Sequence, residues 1–194
     1  ALLLTRSAGA WLAAAWAGLF LLALRWRWLW LAAAGLLLLA ALASPYWLPG
    51  LPAQATPAGA AVDWAGRLEI WSRAFYALQD FAFTGIGLGS FPRVIPLLYP
   101  FFTFAPDVQV PHAHTLALQV GLDLGLPGLI AFLAMTLATA ALVGRALGRW
   151  RSQGRRDPAR LLAGAAAGLS AVWLHGLVDA ASWNTRPAFL LWAL

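Results

Sequence analysis

Two histidines in the middle of the chain are the side chains best suited to acid–base chemistry. His112 and His114 are two residues apart and stand just before an apolar run. Histidines at this spacing share a metal ion only on extended backbone, and no third ligand is evident beside them, so we predict no metal site. An imidazole close to arginines is a candidate general base, because its usual pKa lies near neutrality. A hydrogen-bonded structural role is the alternative for each.

Arg67 is the basic residue whose position is most informative. Between residues 62 and 79, apolar side chains recur at steps of 4, 3, 4 and 3, which predicts an amphipathic helix. The repeat consists of Trp64, Leu68, Trp71, Phe75 and Leu78. Arg67 falls at the edge of this stripe, whereas Arg73 falls on the opposite side and is predicted to be a solvated surface charge. Snorkelling, or pairing with Asp63 at spacing i,i+4, is the alternative for Arg67; Glu69 and Arg73 have the same spacing.

Three further ionisable residues are candidates for substrate binding. His175 and Asp179 are four residues apart on one face of a predicted helix, and a local pair that closes the helix end is the alternative. Arg93 follows the stretch 85–89, which has the spacing GxGxG. This spacing predicts either a tight turn where backbone passes close to backbone, or an N–H-rich surface for an anionic headgroup. A dinucleotide fingerprint is excluded, since Ser90 occupies the place of its third glycine.

The composition is that of an integral membrane protein. Of the 194 residues, 62% are hydrophobic and 10% are charged, and the mean hydropathy is +0.74. A soluble domain would carry about 25% charge, so a cytosolic globule, a disordered tail and a nucleic-acid-binding module are excluded. The net charge of +6 comes from arginines that lie between apolar runs, where they set membrane orientation. There is no cysteine and therefore no thiolate chemistry.

We predict an all-α fold, a polytopic transmembrane helix bundle. A span needs about 20 mostly apolar residues. The predicted spans cover residues 7–24, 28–44, 124–144, 161–178 and 187–194, the last cut off by the end of the sequence. The sequence opens almost directly into a span without an initiator methionine, so we expect a single membrane domain that is the C-terminal portion of a larger protein.

The distribution of charge between the spans predicts their orientation. Residues 145–160 contain six arginines opposed only by Asp157, and the turn at 25–27 contains two arginines and no acid. Both loops are predicted to be cytoplasmic by the positive-inside rule. Residues 45–113 then form a large outer loop that contains the amphipathic helix. Within the third span, the stretch Gly125-Leu126-Pro127-Gly128 predicts a break between two helical segments, at about 115–124 and 127–144.

Four stretches together resemble the O-antigen ligase and polymerase family, bacterial polytopic membrane glycosyltransferases. They are Gly66-Arg67-Leu68-Glu69-Ile70-Trp71, Phe83-Thr84-Gly85-Ile86-Gly87-Leu88-Gly89-Ser90-Phe91, His112-Ala113-His114-Thr115 and Gly125-Leu126-Pro127-Gly128. The family pattern has a histidine followed by Asn, Ser or Gln, then nine residues, then GxxG. His114 fits this spacing, although Thr115 departs from the usual second residue.

The resemblance implies transfer of a glycan from an undecaprenyl-pyrophosphate carrier to an acceptor hydroxyl, on the outer face of the bacterial cytoplasmic membrane. The acceptor would be a glycan, a lipid A-core or a protein. The resemblance implies no metal and no other cofactor. It assigns the pyrophosphate to Arg67 and the acceptor to His114, while Arg93, His112, His175 and Asp179 stay candidates for substrate binding.

A membrane transporter, for example of a small anion, and a non-catalytic membrane scaffold are the alternatives. A transporter places its charges near the middle of the membrane, whereas Arg67 and His114 are both predicted in or at the edge of the outer loop. The sequence therefore favours the enzyme.

Overall fold

A computed structural model describes residues 8–26, 28–29, 64–104, 108–180 and 182–183. These residues form five helices and no strand, in agreement with the predicted all-α fold. The helices are α1 (Ala8–Arg25), α2 (Trp64–Asp80), α3 (Phe91–Leu98), α4 (Leu116–Ser152) and α5 (Arg156–Gly176). Nearly all of the predicted span 28–44, the predicted span 187–194 and Asp63 lie outside the described residues.

Among the described residues, α4 is the one helix that is long and apolar enough to cross a membrane, and the apolar stretch Gly9–Arg25 of α1 is shorter. Large apolar side chains on α4, among them Ile130, Leu137 and Leu142, are exposed. An apolar surface of this kind is typical of a helix that faces lipid.

The predicted break in the third span is confirmed at Gly125, whose φ of 71° and ψ of 178° interrupt α4. The second segment begins with Pro127 in its first turn, where a missing N–H costs nothing. The backbone groups freed by the break find partners in the glycine-rich turn. Leu126 donates its N–H to the carbonyl oxygen of Ala82 at 2.6 Å, and Ile86 donates to that of Leu122 at 2.6 Å.

Gly85 and Gly125 lie directly against one another. Gly85 has a φ of 64°, and a Cβ added there would lie 2.6 Å from the amide nitrogen of Gly125. A Cβ added at Gly125 would lie 2.7 Å from the carbonyl carbon of Phe83. Both distances are shorter than non-bonded atoms allow. Of the two interpretations of the GxGxG spacing, the close passage of backbone against backbone is the one found here.

Replacement of Gly125 should therefore disrupt the fold locally. We expect Gly125→Ala to destabilise the protein by more than about 2 kcal/mol, since it combines a steric clash with an unfavourable positive φ. Gly148→Ala is the matched control, because that glycine lies in the same helix with no atom within 4 Å of an added Cβ. Thermal unfolding of both variants in detergent provides the comparison. Equal melting temperatures would contradict the contact.

The predicted helical segment 127–144 is too short, because helical structure continues into the stretch 145–160 that is predicted to be cytoplasmic. Helix α4 continues to Ser152 and α5 begins at Arg156, so only residues 153–155 connect them. The arginines of this stretch mark the end of the apolar run but do not end the helix, because arginine is a good helix former. The helix ends before Gly154, which has a φ of 70°.

Helix α1 packs along α5, and α5 packs along α4. The buried face of α5 carries alanines one turn apart, Ala159, Ala163 and Ala167. Small side chains at this spacing let helix backbones approach closely, as is typical in membranes. Trp16 of α1 donates from Nε1 to Oγ of Ser170 at 3.2 Å.

The amphipathic helix is confirmed as α2, but its buried face is rotated from the predicted stripe. Ile70, Ala74 and Ala77 are fully buried, whereas Leu68 and Phe75 are 48% and 57% exposed. Small alanines define the buried face because α3 and the first segment of α4 pack closely against it. The periodicity of large apolar residues in the sequence does not predict a buried face that is formed by small alanines.

The prediction that Arg73 is a solvated charge is also wrong. Its Nε donates to the carbonyl oxygen of Pro100 at 3.0 Å, and its guanidinium lies 5.1 Å from the ring centre of Phe102. The i,i+4 pair with Glu69 forms at 3.5 Å. The segment after α3 folds back over this face of α2 and covers the arginine, so Arg73 is half-buried.

Candidate functional site

Four of the six predicted site residues come together beside the start of α4. Nε2 of His112 lies 3.6 Å from Oδ1 of Asp179, and Nδ1 of His114 lies 3.9 Å from the same oxygen. The two imidazole ring centres are 4.4 Å apart. Arg67 of α2 donates from Nη1 to the carbonyl oxygen of Val178 at 2.6 Å, next to Asp179. We call Arg67, His112, His114 and Asp179 the histidine cluster.

The remaining two predicted residues lie apart from the cluster. Arg93 lies in the first turn of α3, where it is exposed and its side chain makes no hydrogen bond or ion pair with another described residue. The alternative of a local side-chain pair between His175 and Asp179 is not found among the described residues. The two residues are joined through the backbone instead, where the N–H of Asp179 donates to the carbonyl oxygen of His175 at 3.0 Å. The His175 ring instead faces α1, where a Cβ added at Gly9 would lie 3.0 Å from its Cδ2.

The backbone at His114 is in the left-handed region, with a φ of 51°, and His114 is the only non-glycine residue with positive φ in the described part of the chain. Such a conformation costs energy and persists where surrounding contacts enforce it. The contacts are made by the buried peptide of Ala113. Its N–H donates to Oε1 of Gln119 at 2.8 Å, and its carbonyl oxygen accepts from Nε1 of Trp71 at 3.0 Å.

A buried carboxylate extends this set of hydrogen bonds. Nε2 of Gln119 donates to Oδ1 of Asp123 at 2.9 Å, and Nε1 of Trp183 donates to Oδ2 at 2.8 Å. The N–H of Gly89 donates to the same carboxylate. Gln119 and Asp123 are 3% and 2% exposed. The glycine turn, the first segment of α4 and the residues after α5 thus meet at Asp123, and Gln119 relays this arrangement to Ala113.

Gln119, Asp123 and Trp183 are not among the site residues predicted from the sequence. A signal was present for two of them, because Gln119 and Asp123 are polar, lie in an otherwise apolar segment and have the spacing i,i+4. Polar residues in such a segment require partners. The partner Trp183 lies 60 residues further along the chain, and no local pattern predicts it.

We expect Gln119→Leu to displace His114, although Gln119 itself is not proposed to contact the substrate. The substitution leaves the N–H of Ala113 and one oxygen of Asp123 without a partner, and each buried unsatisfied group costs about 1–3 kcal/mol. The substitution should lower the stability of the protein. It should also lower the rate of glycan transfer by at least about tenfold, because the catalytic geometry is displaced.

The matched control is the double variant Gln119→Glu with Asp123→Asn. It exchanges donor and acceptor between the two side chains while it keeps an acceptor for Ala113, so both stability and rate should recover most of the loss. Thermal unfolding and initial rates on the purified variants give the answer. A double variant as impaired as Gln119→Leu would contradict the relay.

The tautomer of His112 follows from its hydrogen bond. The backbone N–H of His114 donates to Nδ1 of His112 at 3.2 Å, so Nδ1 is unprotonated and Nε2 carries the proton that faces Asp179. Nε2 of His114 is buried and has no hydrogen-bond partner among the described residues. Of the ring nitrogens of the two histidines, Nε2 of His114 is therefore the candidate to accept a proton.

Burial lowers the pKa of His114 to about 4, with His112 and Arg67 acting in the same direction and Asp179 opposing them. Burial likewise lowers the pKa of His112, against the attraction of Asp179 and with a further contribution from Arg67. Both imidazoles are therefore neutral at pH 7, the state in which a histidine can accept a proton.

Two imidazoles and a carboxylate are also a possible metal-ligand set. One ligand atom from each of His112, His114 and Asp179 lies within 4.8 Å of the others. The prediction that no third ligand lies beside the histidines is therefore wrong, since Asp179 arrives from a distant part of the sequence. Zinc accepts such ligands, but the guanidinium of Arg67 nearby works against a cation and in favour of an anion.

An apolar cleft of about 370 Å³ opens beside the cluster, between α2, the start of α4 and the end of α5. Trp71 and Thr115 are part of its lining and adjoin the Ala113–His114 peptide. The other lining residues are Phe75, Leu78, Ala117, Leu118, Leu129 and Leu177. A hydrocarbon chain bound there would bring its headgroup close to Arg67 and His114.

The described residues form helices only, and one of these helices is exposed, apolar and long enough to cross a membrane. Residues 1–133 match the family described as O-antigen ligase, and the chain belongs to that family. This is a family of membrane proteins of O-antigen and lipopolysaccharide biosynthesis, which implies glycosyl transfer between a lipid-linked glycan and an acceptor. No curated protein matches the chain.

Proposed function

We propose that this chain transfers a glycan from an undecaprenyl-pyrophosphate carrier to an acceptor hydroxyl on the outer face of the cytoplasmic membrane. The observation that carries the proposal is that Arg67 and His114, which are 47 positions apart in the sequence, both approach residues 178–179 beside an apolar cleft. A lipid-linked donor needs all three features: an apolar groove, a cation for its pyrophosphate and a base for the acceptor.

In the proposed reaction, Nε2 of His114 takes the proton of the acceptor hydroxyl as its oxygen bonds to the anomeric carbon of the donor sugar. The bond between that carbon and the pyrophosphate oxygen breaks, and the electron pair leaves with the pyrophosphate. Arg67 stabilises this developing negative charge. The proton taken up by His114 later passes to solvent or to the released pyrophosphate, so that charge and atoms balance.

Arg67 is suited to the leaving group because a guanidinium has five N–H donors. Among the described residues, only the carbonyl oxygen of Val178 accepts from it. The remaining donors can hold phosphate oxygens in a bidentate manner, without a divalent ion. Asp179 stabilises the imidazolium that forms at His114, while His112 holds the backbone N–H of His114. We propose Arg93 and His175 only as outlying contacts to a long substrate.

The test is a transfer assay with a purified protein and a synthetic glycan on a polyprenyl pyrophosphate. We expect consumption of this donor, and no consumption of the same glycan on a polyprenyl monophosphate, which is a poorer leaving group and contacts Arg67 with one phosphate only. Carbohydrate, lipid A-core and peptide acceptors are compared in parallel. Equal turnover of the two donors, or proteoliposomes that carry a small anion across the membrane without any transfer, would overturn the proposal.

The proposed orientation has a separate test, which the absence of native cysteine makes direct. A single cysteine introduced at Gln54 should react with an impermeant thiol reagent in intact cells, because residues 45–113 are proposed to lie outside. A cysteine at Gln153, between α4 and α5, should react only after the membrane is permeabilised. The reverse labelling pattern would place the histidine cluster on the wrong side for the proposed donor.

A further inference from the structure

A second cleft lies at the other end of α4, far from the histidine cluster. It has a volume of about 440 Å³ and is formed where α1, α4 and α5 meet. Four arginines from the three helices line it, namely Arg25, Arg151, Arg156 and Arg160. Its remaining lining is apolar and includes Leu21 and Leu24 of α1. We call it the arginine cleft.

The short connection between α4 and α5 builds this cleft. Because only residues 153–155 separate the two helices, Arg151 at the end of α4 and Arg156 at the start of α5 are held near one another. Arg160 lies one turn further along the same face of α5. Arg151 also donates from Nη1 to the carbonyl oxygen of Leu24 at 3.2 Å, which fixes the end of α1 against this corner.

The positive charge in the cleft is almost unopposed. Among the ion pairs of the described residues, the only one that involves these arginines joins Arg160 to Asp157 at 3.5 Å. Both side chains of that pair are more than three-quarters exposed, so the interaction is weak. Arg25 and Arg156 have no carboxylate partner in the described part of the chain. Like charges held together repel, and an anion bound between them would relieve the repulsion.

The position of the cleft relative to the membrane indicates which anion. From the break at Gly125 to Ser152, α4 measures about 40 Å at 1.5 Å per residue. A bilayer with its headgroups is about 40–45 Å thick. If the histidine cluster lies at one membrane surface, the arginine cleft lies at the other, at the depth of the lipid phosphates. Leu21 and Leu24 then provide a wall for the first carbons of an acyl chain.

We propose that the arginine cleft binds the phosphodiester headgroup of an anionic phospholipid from the cytoplasmic leaflet. Basic pockets between helices on this side are suited to such headgroups. A nucleotide or nucleic acid would find no aromatic stacking surface among the lining residues and no use for the leucine wall. The proposal depends on the membrane position of α4 and is independent of the proposed glycan transfer.

The experiment compares two double variants that remove the same charge from the same end of the bundle. Arg25→Gln with Arg156→Gln empties the cleft of two cations, whereas Arg145→Gln with Arg149→Gln removes two exposed arginines of α4 that do not line it. Native mass spectrometry of protein released from vesicles of equal phosphatidylglycerol and phosphatidylcholine reports the retained lipid.

We expect wild type and the Arg145/Arg149 variant to retain phosphatidylglycerol in preference to phosphatidylcholine. The Arg25/Arg156 variant should lose about 10- to 30-fold of that preference, since each basic residue near an anionic surface contributes about a factor of five. An excess of inorganic phosphate should not displace the lipid, because it lacks the acyl chains. Equal losses in the two double variants, or displacement by phosphate, would overturn the proposal.

A further variant separates binding from membrane insertion. Arg25→Lys with Arg156→Lys keeps both charges and therefore the orientation signal, but lysine does not offer the paired donors of a guanidinium. It should insert normally and retain phosphatidylglycerol about threefold to tenfold less well than wild type. Retention at the wild-type level would mean that the arginines act only as a general charge signal.

Discussion

His114→Ala should lower the rate of glycan transfer by about 10²- to 10⁴-fold, the range of a positioned general base. The effect should fall on kcat, because the imidazole takes up the acceptor proton in the transition state. Protein level and melting temperature should change little, since the ring nitrogen assigned to chemistry makes no hydrogen bond with the described residues. A fully active His114→Ala variant would end the proposed mechanism.

The pH dependence gives His114 a second signature. With a pKa of about 4 in the free protein, the imidazole stays in its active neutral form as the pH falls from 8 to 5. The acid limb of kcat/KM, which reports the free enzyme, should therefore lie near pH 4 and not near 6.5. In the substrate complex, bound pyrophosphate offsets the positive charge of Arg67, which raises the pKa of His114. The acid limb of the kcat profile should therefore lie at higher pH than the acid limb of kcat/KM.

A chelator distinguishes this mechanism from metal catalysis by the same residues. If His114 is a base, chelation should leave the rate unchanged. If His112, His114 and Asp179 hold a metal ion, chelation should abolish activity, and zinc or another divalent ion should restore it. The His114→Ala variant alone does not separate the two, because it removes a metal ligand as well as a base.

Arg67→Lys should lower transfer by about 10- to 100-fold, although it retains the positive charge. Lysine can still donate to the carbonyl oxygen of Val178, so the end of α5 stays anchored. It does not hold two phosphate oxygens of the leaving group in a fixed fork. The loss should be largest with donors whose sugar is a poor electrophile, for which leaving-group stabilisation matters most.

Arg73→Ala is the control for Arg67→Lys within helix α2. Because Arg73 is half-buried, we expect its loss to affect the stability of the protein more than the transfer rate. Arg73 contacts Pro100, Phe102 and Glu69, so its loss should lower the melting temperature. The rate per folded molecule should stay within about threefold of wild type, because these contacts lie on the face of α2 away from the cluster. Equal rate losses at positions 67 and 73 would remove the case for Arg67 as the pyrophosphate ligand.

The sequence predicted well those features that depend on neighbours along the chain. The periodic stretch became α2, the Gly125–Gly128 stretch became the break in α4, and Glu69 pairs with Arg73 at spacing i,i+4. Each rests on helix geometry or on the backbone of glycine and proline. Helical spacing also predicted that Arg67 faces the packed side of its helix, where it contacts Val178 just after α5.

Features that depend on distant contacts were predicted poorly. Asp179 joins the histidines because the end of α5 packs closely against the start of α4, where a Cβ added at Gly176 would lie 2.9 Å from Cδ2 of Leu116. Arg73 is covered because a later segment folds over it. The end of α4 was placed too early, since charge marks where a helix leaves the hydrocarbon and not where it stops. In each case tertiary packing decides between options that are locally equivalent.

The contact between Gly85 and Gly125 has a consequence for protein engineering. The two glycines are forty positions apart in the sequence, yet each leaves no room for a Cβ at the other because their backbone segments are in direct contact. A chimera that exchanges the glycine turn or the helix break must therefore keep glycine at both positions. A graft that places a side chain at either one would introduce a steric clash next to Asp123, and through Gln119 it would displace His114.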